Sequence, residues 1–219
     1  MDPTNPLRAL TPTVDADVLF VLAKTRKATT GAKTAHNAGR SYAQVRHCLH
    51  RLVDTGMVLA EPHGNSVSYQ LNRDHVLAPL VEAAASAAGE VEARIARSVQ
   101  AWTLPAAAVV LFGSFARRDG HDASDVDLLL VRHDEIGEDD TSWTAQRHDL
   151  ARAVRTWSGN NAQVIEMSVT ELATALTREE DLIPNLRRDG VVLAGPSLAL
   201  LLAAPRPAQS SSASPQETP

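Results

Sequence analysis

Cysteine, aromatic residues and long apolar runs are scarce in this sequence of 219 residues, and each shortage narrows the class of protein. The single cysteine, Cys48, excludes an intrachain disulfide and a CxxC metal site. Aromatic residues make up 4% of the chain, so Ala, Val and Leu must build the core. No apolar run reaches the roughly 18 residues of a membrane-spanning helix, and the first residues lack a secretory pattern. We therefore expect a cytoplasmic protein with no membrane partner.

Acidic residues outnumber basic ones, and the formal net charge is −5. This balance argues against nucleic-acid binding driven by the overall charge. The charge is unevenly distributed, however, because the segment from Lys24 to Arg51 holds seven Lys or Arg and no Asp or Glu. Such a local asymmetry is typical of a basic surface that meets a polyanion.

Composition and hydrophobic periodicity divide the chain into five parts. We predict a flexible leader at 1–12, a compact module at 13–73, a linker helix at 74–103, a region of alternating strands and helices at 104–196, and a mostly disordered tail at 197–219. The preferred interpretation of the linker helix is a simple connection between the two regions. The alternatives are that an apolar stripe on it packs the flanking regions together or forms the seam of a homodimer. The stripe consists of Val81, Ala84, Ala85 and Ala88.

The module at 13–73 has the pattern of three helices and a hairpin. A turn signal, His63-Gly64-Asn65, separates the two predicted strands. This order of elements predicts a winged helix-turn-helix. The elements are a helix capped by Asp15 or Asp17, a helix at 31–38, a helix from Ser41 to Gly56, and strands at 58–61 and 66–71.

The third helix of this module has its apolar residues on one face, which turns its polar residues outward. In a winged helix-turn-helix this helix enters the major groove, where Gln and Arg read base edges and other polar side chains contact phosphate. A protein-docking module is the alternative for the same surface. The candidate DNA-binding residues are Arg40, Gln44, His47, His50 and Arg51.

The segment GRSYAQVRHCLHRLVDTGMVLAEPHGNSVSYQL at 39–71 resembles the arsenic-repressor-like winged-helix regulators of bacteria. The resemblance implies that the module binds double-stranded DNA. It does not extend to a metal sensor, because Cys48 lies near the buried side of its helix and points away from His47 and His50.

Two aspartates, Asp125 and Asp127, enter an apolar strand predicted at 126–131. Residues two apart in an extended chain project from the same face, so these carboxylates would lie side by side. Neighbouring carboxylates repel each other, and a cation between them would explain the arrangement. The structural alternative is a DxD sequence that only caps a turn.

A Gly113-Ser114 pair ends the preceding apolar strand, which is predicted at 107–112. Gly113 allows a phosphate to approach the backbone, and Ser114 can donate to it from its amide and its hydroxyl. A phosphate cradle that faces two carboxylates suits nucleotidyl transfer, in which divalent ions orient a triphosphate and stabilise the leaving pyrophosphate.

The GS pair followed by DxD resembles the minimal nucleotidyltransferases of the polymerase-beta superfamily, and RRDGVVLAG at 187–195 resembles their closing segment. The resemblance implies an α+β fold with a small mixed sheet, and transfer of a nucleoside monophosphate from NTP with two Mg²⁺ ions. It assigns Asp125 and Asp127 to the metal and Gly113, Ser114 and Arg117 to the nucleotide. Further matching positions are Ala116 and Ser124.

The family usually places a third carboxylate on the next strand, which is predicted here at 162–167. The matching position holds Gln163, which cannot take a proton and is a weak metal ligand. Glu166 is the only acid on this strand, and it joins Asp125 and Asp127 as a candidate catalytic residue. Its parity is opposite to that of Gln163, so a bulge or a shifted register would have to turn it inward.

Three functions are compatible with these patterns. The first is a DNA-binding enzyme that modifies a hydroxyl of a protein, RNA or small molecule; by analogy, resembling domains occur in toxin–antitoxin and antibiotic-modifying systems. The second is a winged-helix transcriptional regulator whose nucleotidyltransferase domain is weak or inactive. The third is a module that docks a protein partner.

Overall fold

The computed structural model describes residues 1–64 and 66–203, and the predicted disorder of the tail lies mostly outside this part. The described elements of the first module are a 3-10 helix Pro6–Ala9, α1 Val14–Lys24, β1 Thr29–Thr30, α2 Gly31–Ala38, α3 Tyr42–Asp54, β2 Val58–His63 and β3 Ser66–Leu71. The elements that follow are α4 Ala78–Ala85, α5 Ala87–Gln100, β4 Ala108–Phe112, α6 Gly113–Arg117, β5 Val126–Arg132, α7 Thr141–Ser158, β6 Ala162–Ser168, α8 Val169–Arg178, α9 Leu182–Asp189, β7 Val191–Ala194 and α10 Leu198–Leu201.

The first module combines α1, α2 and α3 with an antiparallel sheet in the order β1-β3-β2. The strand β1 was not predicted, because two threonines give no periodicity to detect. The phase of α3 is as predicted, since Val45 and Leu49 are fully buried while Gln44, His47 and His50 are exposed. Ser41 and Gln44 form a capping box that starts this helix.

The cap of α1 differs from the prediction. The helix begins at Val14 after Thr13, and neither Asp15 nor Asp17 caps it, because both lie inside the first turn. The Asp17 side chain is 2% exposed and accepts ion pairs from Arg8 at 2.8 Å and Arg40 at 2.6 Å. Asp17 therefore ties three segments of the chain together.

The leader is ordered against the first module, which corrects the prediction of a flexible segment at 1–12. Leu7 is 4% exposed and belongs to the core of this module. Arg8 links Asp2 at 3.0 Å to the buried Asp17. Its three prolines predicted a loose segment, but the buried Leu7 and the ion pairs of Arg8 hold it against the first module.

The predicted linker at 74–103 is two helices that meet at Ser86. The first, α4, contributes Ala78, Val81 and Ala85 to the core of the first module. The second, α5, contributes Val91 and other residues to the core beneath the second sheet. The apolar stripe of the sequence is thus divided between two cores, and each helix belongs to the body it packs on.

The second sheet has the order β6-β5-β4-β7. The strand β5 runs antiparallel to β4 and parallel to β6, and β4 pairs antiparallel with β7. The helices α5 and α7 cover one face, while α8 and α9 cover the other. The predicted α+β class with a small mixed sheet is confirmed. Within the described residues, no helix is long and apolar enough to cross a membrane.

Candidate active site

The aspartate pair lies where β5 begins, beside the end of β4. Asp127 pairs in register with Phe112, the last residue of β4. By strand alternation its side chain shares a face with Leu129 and Val131, the face that α8 and α9 cover. Burial and the nearby charge of Asp125 raise the pKa of the Asp127 carboxyl. The two acids therefore interact, and ionising both of them has a free-energy cost in the absence of a cation.

Gly113 lies directly against the Asp127 carboxylate. Its φ is +73°, and a Cβ built at this position would overlap Asp127 Oδ2. A side chain at residue 113 is thus excluded by both backbone conformation and space. The β4–α6 turn consequently brings unshielded backbone to the acid pair, as a phosphate cradle requires.

The hydroxyls of Ser114 and Ser124 both lie close to Gly120, in the loop between α6 and β5. A Cβ at the buried Gly120 would lie 2.9 Å from Ser124 Oγ and 3.1 Å from Ser114 Oγ. The loop that carries Asp125 is fixed by Asn160, whose Nδ2 donates to the carbonyls of Ser124 at 2.8 Å and Asp122 at 3.1 Å. Asn160 is 2% exposed, so this support is part of the core.

Arg117 ends the short helix α6 that starts at Gly113. Its guanidinium pairs with Asp119, through Nε at 2.8 Å, and with Asp189, through Nη1. These hydrogen bonds raise the pKa of Arg117, which remains charged. The resemblance assigned Arg117 to the nucleotide, and in the structure its guanidinium is paired with these two acids.

Gln163 stands beside Asp127, because the parallel register of β5 and β6 pairs these two residues. The register is regular from Val126–Ala162 to Arg132–Ser168, with no bulge. Paired residues of adjacent strands share a face, so Gln163 lies beside Asp127 at the position where the resemblance led us to expect a third acid.

Glu166 is not brought to the aspartates, and this corrects its inclusion among the catalytic candidates. It pairs with Leu130 and so faces α7 on the opposite side of the sheet. Its carboxylate accepts bonds from Arg132 at 3.1 Å, Arg147 at 2.5 Å and Trp143 Nε1 at 2.9 Å. The cavity of about 410 Å³ that it lines lies toward the far end of β5. These contacts make Glu166 a structural residue.

Asp189 is a site residue that the sequence analysis did not single out. Its side chain is 3% exposed, and its charge contributes to the raised pKa of Asp127. The only signal in the sequence was its place in RRDGVVLAG, which was interpreted as a closing segment. Asp189 comes close to the aspartates because β7 pairs antiparallel with β4, and residue spacing in the sequence does not reveal this pairing.

The donor set suits Mg²⁺ bound together with a nucleotide. Within 1–64 and 66–203, no group of three His, Cys, Asp or Glu residues could hold a metal by itself. Mg²⁺ is commonly held by one or two carboxylates plus substrate phosphates and water. Asp125 and Asp127 beside the Gly113 turn provide that arrangement.

Four of the five predicted DNA-binding residues lie on α3, Arg40 lies just before it, and their surroundings differ. Arg40 pairs with the buried Asp17, and Arg51 pairs with Asp15. Gln44 is used in the capping box of α3. His47 and His50 are exposed on this helix, as is Arg46, which the sequence analysis left out. The acids of α1 therefore compensate part of the basic segment.

The second sheet, with the acid pair at the start of β5 and the Gly113 turn beside it, defines an α+β domain with a candidate carboxylate site. Residues 93–157 match the family model described as a nucleotidyltransferase domain, which includes Gly113, Ser114, Asp125 and Asp127. This match supports a nucleotidyltransferase in that part of the chain. The match begins within α5, in agreement with the packing of that helix on the second sheet.

A comparison with solved structures found one described as "Crystal structure of the toxin-antitoxin with AMP-PNP". The two chains are 17% identical, with a TM-score of 0.34, and the alignment covers 51% of this chain and 80% of the other. The comparison with curated proteins gave no match.

Proposed function

We propose that the protein is a Mg²⁺-dependent nucleotidyltransferase that moves a nucleoside monophosphate from NTP to a hydroxyl of a protein, RNA or small molecule. The observation that carries this proposal is the contact between the Gly113 turn and the Asp127 carboxylate, with Asp125 beside it. Unshielded backbone next to two acids can receive a triphosphate and its cation together.

The residues of this chain supply binding and orientation. The Gly113 and Ser114 amides, with the Ser114 hydroxyl, would donate to the triphosphate, and Arg117 would add charge at the edge of the turn. Asp125 and Asp127 would hold Mg²⁺, which when bound withdraws charge from the phosphate and stabilises the pyrophosphate leaving group. Two carboxylates suffice for one ion, so the expected second ion would be held mainly by phosphate and water.

The test is transfer of label from the α-phosphate of each NTP to components of a cell extract, with Mg²⁺ present. We expect a labelled component with the unaltered protein and its loss in Asp125→Asn and Asp127→Asn. The matched control is Asp122→Asn, an exposed acid of the same loop. Absence of transfer from all four NTPs would rule out the enzyme.

A regulator with a weak or inactive domain is the second candidate, and Gln163 favours it. The residue beside Asp127 cannot accept a proton, and Glu166 is held on the other face. This candidate predicts that the protein binds Mg²⁺ and NTP but transfers no label. Calorimetric binding of Mg·NTP combined with the transfer assay separates the two functions.

We also infer that the first module is a winged helix that binds double-stranded DNA. The element order and the three-stranded sheet support this, together with the exposed polar face of α3. Double replacement of His47 and His50 by Ala should weaken a salt-dependent shift of promoter DNA roughly tenfold. Replacement of the exposed Arg97 on α5 serves as the control. If the double variant shifts promoter DNA as well as the unaltered protein does, the exposed face of α3 is not the DNA-binding surface.

A further inference from the structure

Asp189 reaches the candidate active site from an element that the DxD motif does not include. It ends α9, and β7 begins two residues later. Because Leu111 pairs with Val191 in antiparallel register, the chain before β7 arrives beside the turn at Gly113. The helix α9 also packs on α6, the helix that this turn opens.

The contacts of Asp189 converge on Arg117. Its Oδ2 accepts bonds from Arg117 Nη1 and, at 3.3 Å, from Arg188. Its Oδ1 is buried with no hydrogen-bond partner. Burying a carboxylate with one oxygen unsatisfied lowers the stability of the fold, and the Asp189 side chain is only 3% exposed. A contribution to stability therefore does not explain why an aspartate stands at this position. A functional purpose would account for this cost.

Arg117 is only partly committed to the acids that hold it. A guanidinium carries five N–H donors, and Asp119 and Asp189 take one each. About a third of the Arg117 side chain is exposed, and its charge acts on Asp127. The remaining donors therefore lie at the edge of the acid pair, open to an anionic ligand.

We propose that Asp189 is a positioning residue for nucleotide binding: it holds the Arg117 guanidinium beside the Gly113–Ser114 turn so that the free N–H donors meet the triphosphate. This inference rests on the proposed function and adds the residue that orients its phosphate contact. An arginine held in place loses less conformational freedom when it binds phosphate than a free one does. The two acids differ, because Asp119 is 57% exposed and its pair with Arg117 is screened by solvent.

The experiment is a double-mutant cycle on Mg·NTP affinity, measured by calorimetry, and on the KM and kcat of label transfer. We expect Asp189→Ala and Arg117→Ala each to raise the Kd and KM for NTP on the order of tenfold, with kcat within about threefold. The Kd and KM of the double variant should be no higher than those of either single variant, since both changes remove the same contact with the triphosphate. Glu179→Ala, in an exposed ion pair with Arg187 near α9, is the control.

Asp189→Asn keeps the size of the side chain and a neutral acceptor, so its affinity should fall between those of the unaltered protein and Asp189→Ala. It remains available if Asp189→Ala does not fold, which its thermal unfolding midpoint reveals. Additive effects in the cycle, an unchanged Kd, or tighter binding in either Asp189 variant would overturn the positioning role. If the unaltered protein binds none of the NTPs, the proposed function itself has failed.

Discussion

At the residue scale, the carboxylates of the candidate active site lower the stability of the metal-free fold, and binding of a cation would offset this loss. Asp127 is partly buried beside Asp125, and its pKa lies above the usual 3.8. A carboxyl with a raised pKa in the folded state adds stability only while it is protonated. That contribution is lost as the pH rises through the raised pKa, so at neutral pH the ionised pair destabilises the metal-free protein.

Asp127→Asn should therefore abolish nucleotidyl transfer while raising the unfolding midpoint of the metal-free protein. The rise should be on the order of 1–2 °C at neutral pH and should vanish in acid, where Asp127 is protonated. Differential scanning calorimetry at both pH values, without Mg²⁺, measures it. A lower midpoint at neutral pH would mean that the aspartate pair stabilises the fold without a metal.

The raised pKa of Asp127 also predicts how the proposed transfer should depend on pH. Mg²⁺ requires the ionised carboxylate, and burial together with Asp125 keeps Asp127 protonated to a higher pH than usual. We expect transfer to decline on acidification and more Mg²⁺ to restore it, because metal and proton compete for one group. Rates measured over a pH series at two Mg²⁺ concentrations test this, and an unchanged profile would contradict it.

For Glu166 we expect the opposite of Asp127: its replacement should lower stability and leave transfer largely unchanged. The reason is that Glu166 holds a buried network on the other face of the sheet. Glu166→Ala would leave Arg132, whose side chain is 10% exposed, without its main partner. Removal of one member of such a buried pair costs about 3–5 kcal/mol. Chemical denaturation should report this loss, whereas transfer by the folded fraction should stay within about threefold. A selective loss of transfer would return Glu166 to the catalytic set.

The acid pair and the Gly113-Ser114 turn could be predicted from the sequence because each is defined by a short residue spacing. DxD and GS are local patterns, and strand alternation translates them directly into faces. The placement of Glu166, Asp189 and the partners of Arg117 depends on strand register and on the path of β7. Parity correctly indicated that Glu166 faces away, yet only the regular β5–β6 register excludes the bulge that would have turned it inward.

At the scale of elements, the β4–α6 turn is the part of the candidate site that tolerates least change. Gly113 has a φ of +73° and no room for a Cβ beside Asp127. Gly113→Ala should cost roughly 1–2 kcal/mol through the positive φ alone and should also displace the Asp127 carboxylate. Both stability and Mg·NTP affinity should fall. Gly137→Ala, where an added Cβ would meet no atom within 4 Å, is the control.

The elements themselves were largely predictable, since α2, α3 and the strands β2 to β6 have clear periodicity or turn signals. The linker was the main error. Its Ala-rich pattern continues across Ser86 with helical periodicity, and nothing local announces that α4 and α5 pack on different cores. The break follows from tertiary packing, which outweighs helix propensity.

At the scale of the whole molecule, Asp17 connects the leader, α1 and the start of α3. It is 2% exposed and receives both Arg8 and Arg40. Asp17→Ala would leave Arg40 without its acid and Arg8 with Asp2 alone. Because both guanidinium side chains are more than a third exposed, we expect a loss of about 1–2 kcal/mol in unfolding free energy. Promoter affinity should also weaken if Arg40 contacts DNA, because its side chain would lose its anchor. Asp54→Ala, an exposed acid on α3, is the control.

The glutamine beside Asp127 has a consequence for how this protein could evolve. Glutamine and glutamate codons differ by a single base, so one point mutation at Gln163 would create a third acid in the register position next to Asp127. A centre with three acids is thus always within reach of random mutation. Where lineages keep glutamine at this place, selection for restrained turnover would explain it, and a Gln163→Glu strain compared with its parent would reveal whether faster transfer harms the cell.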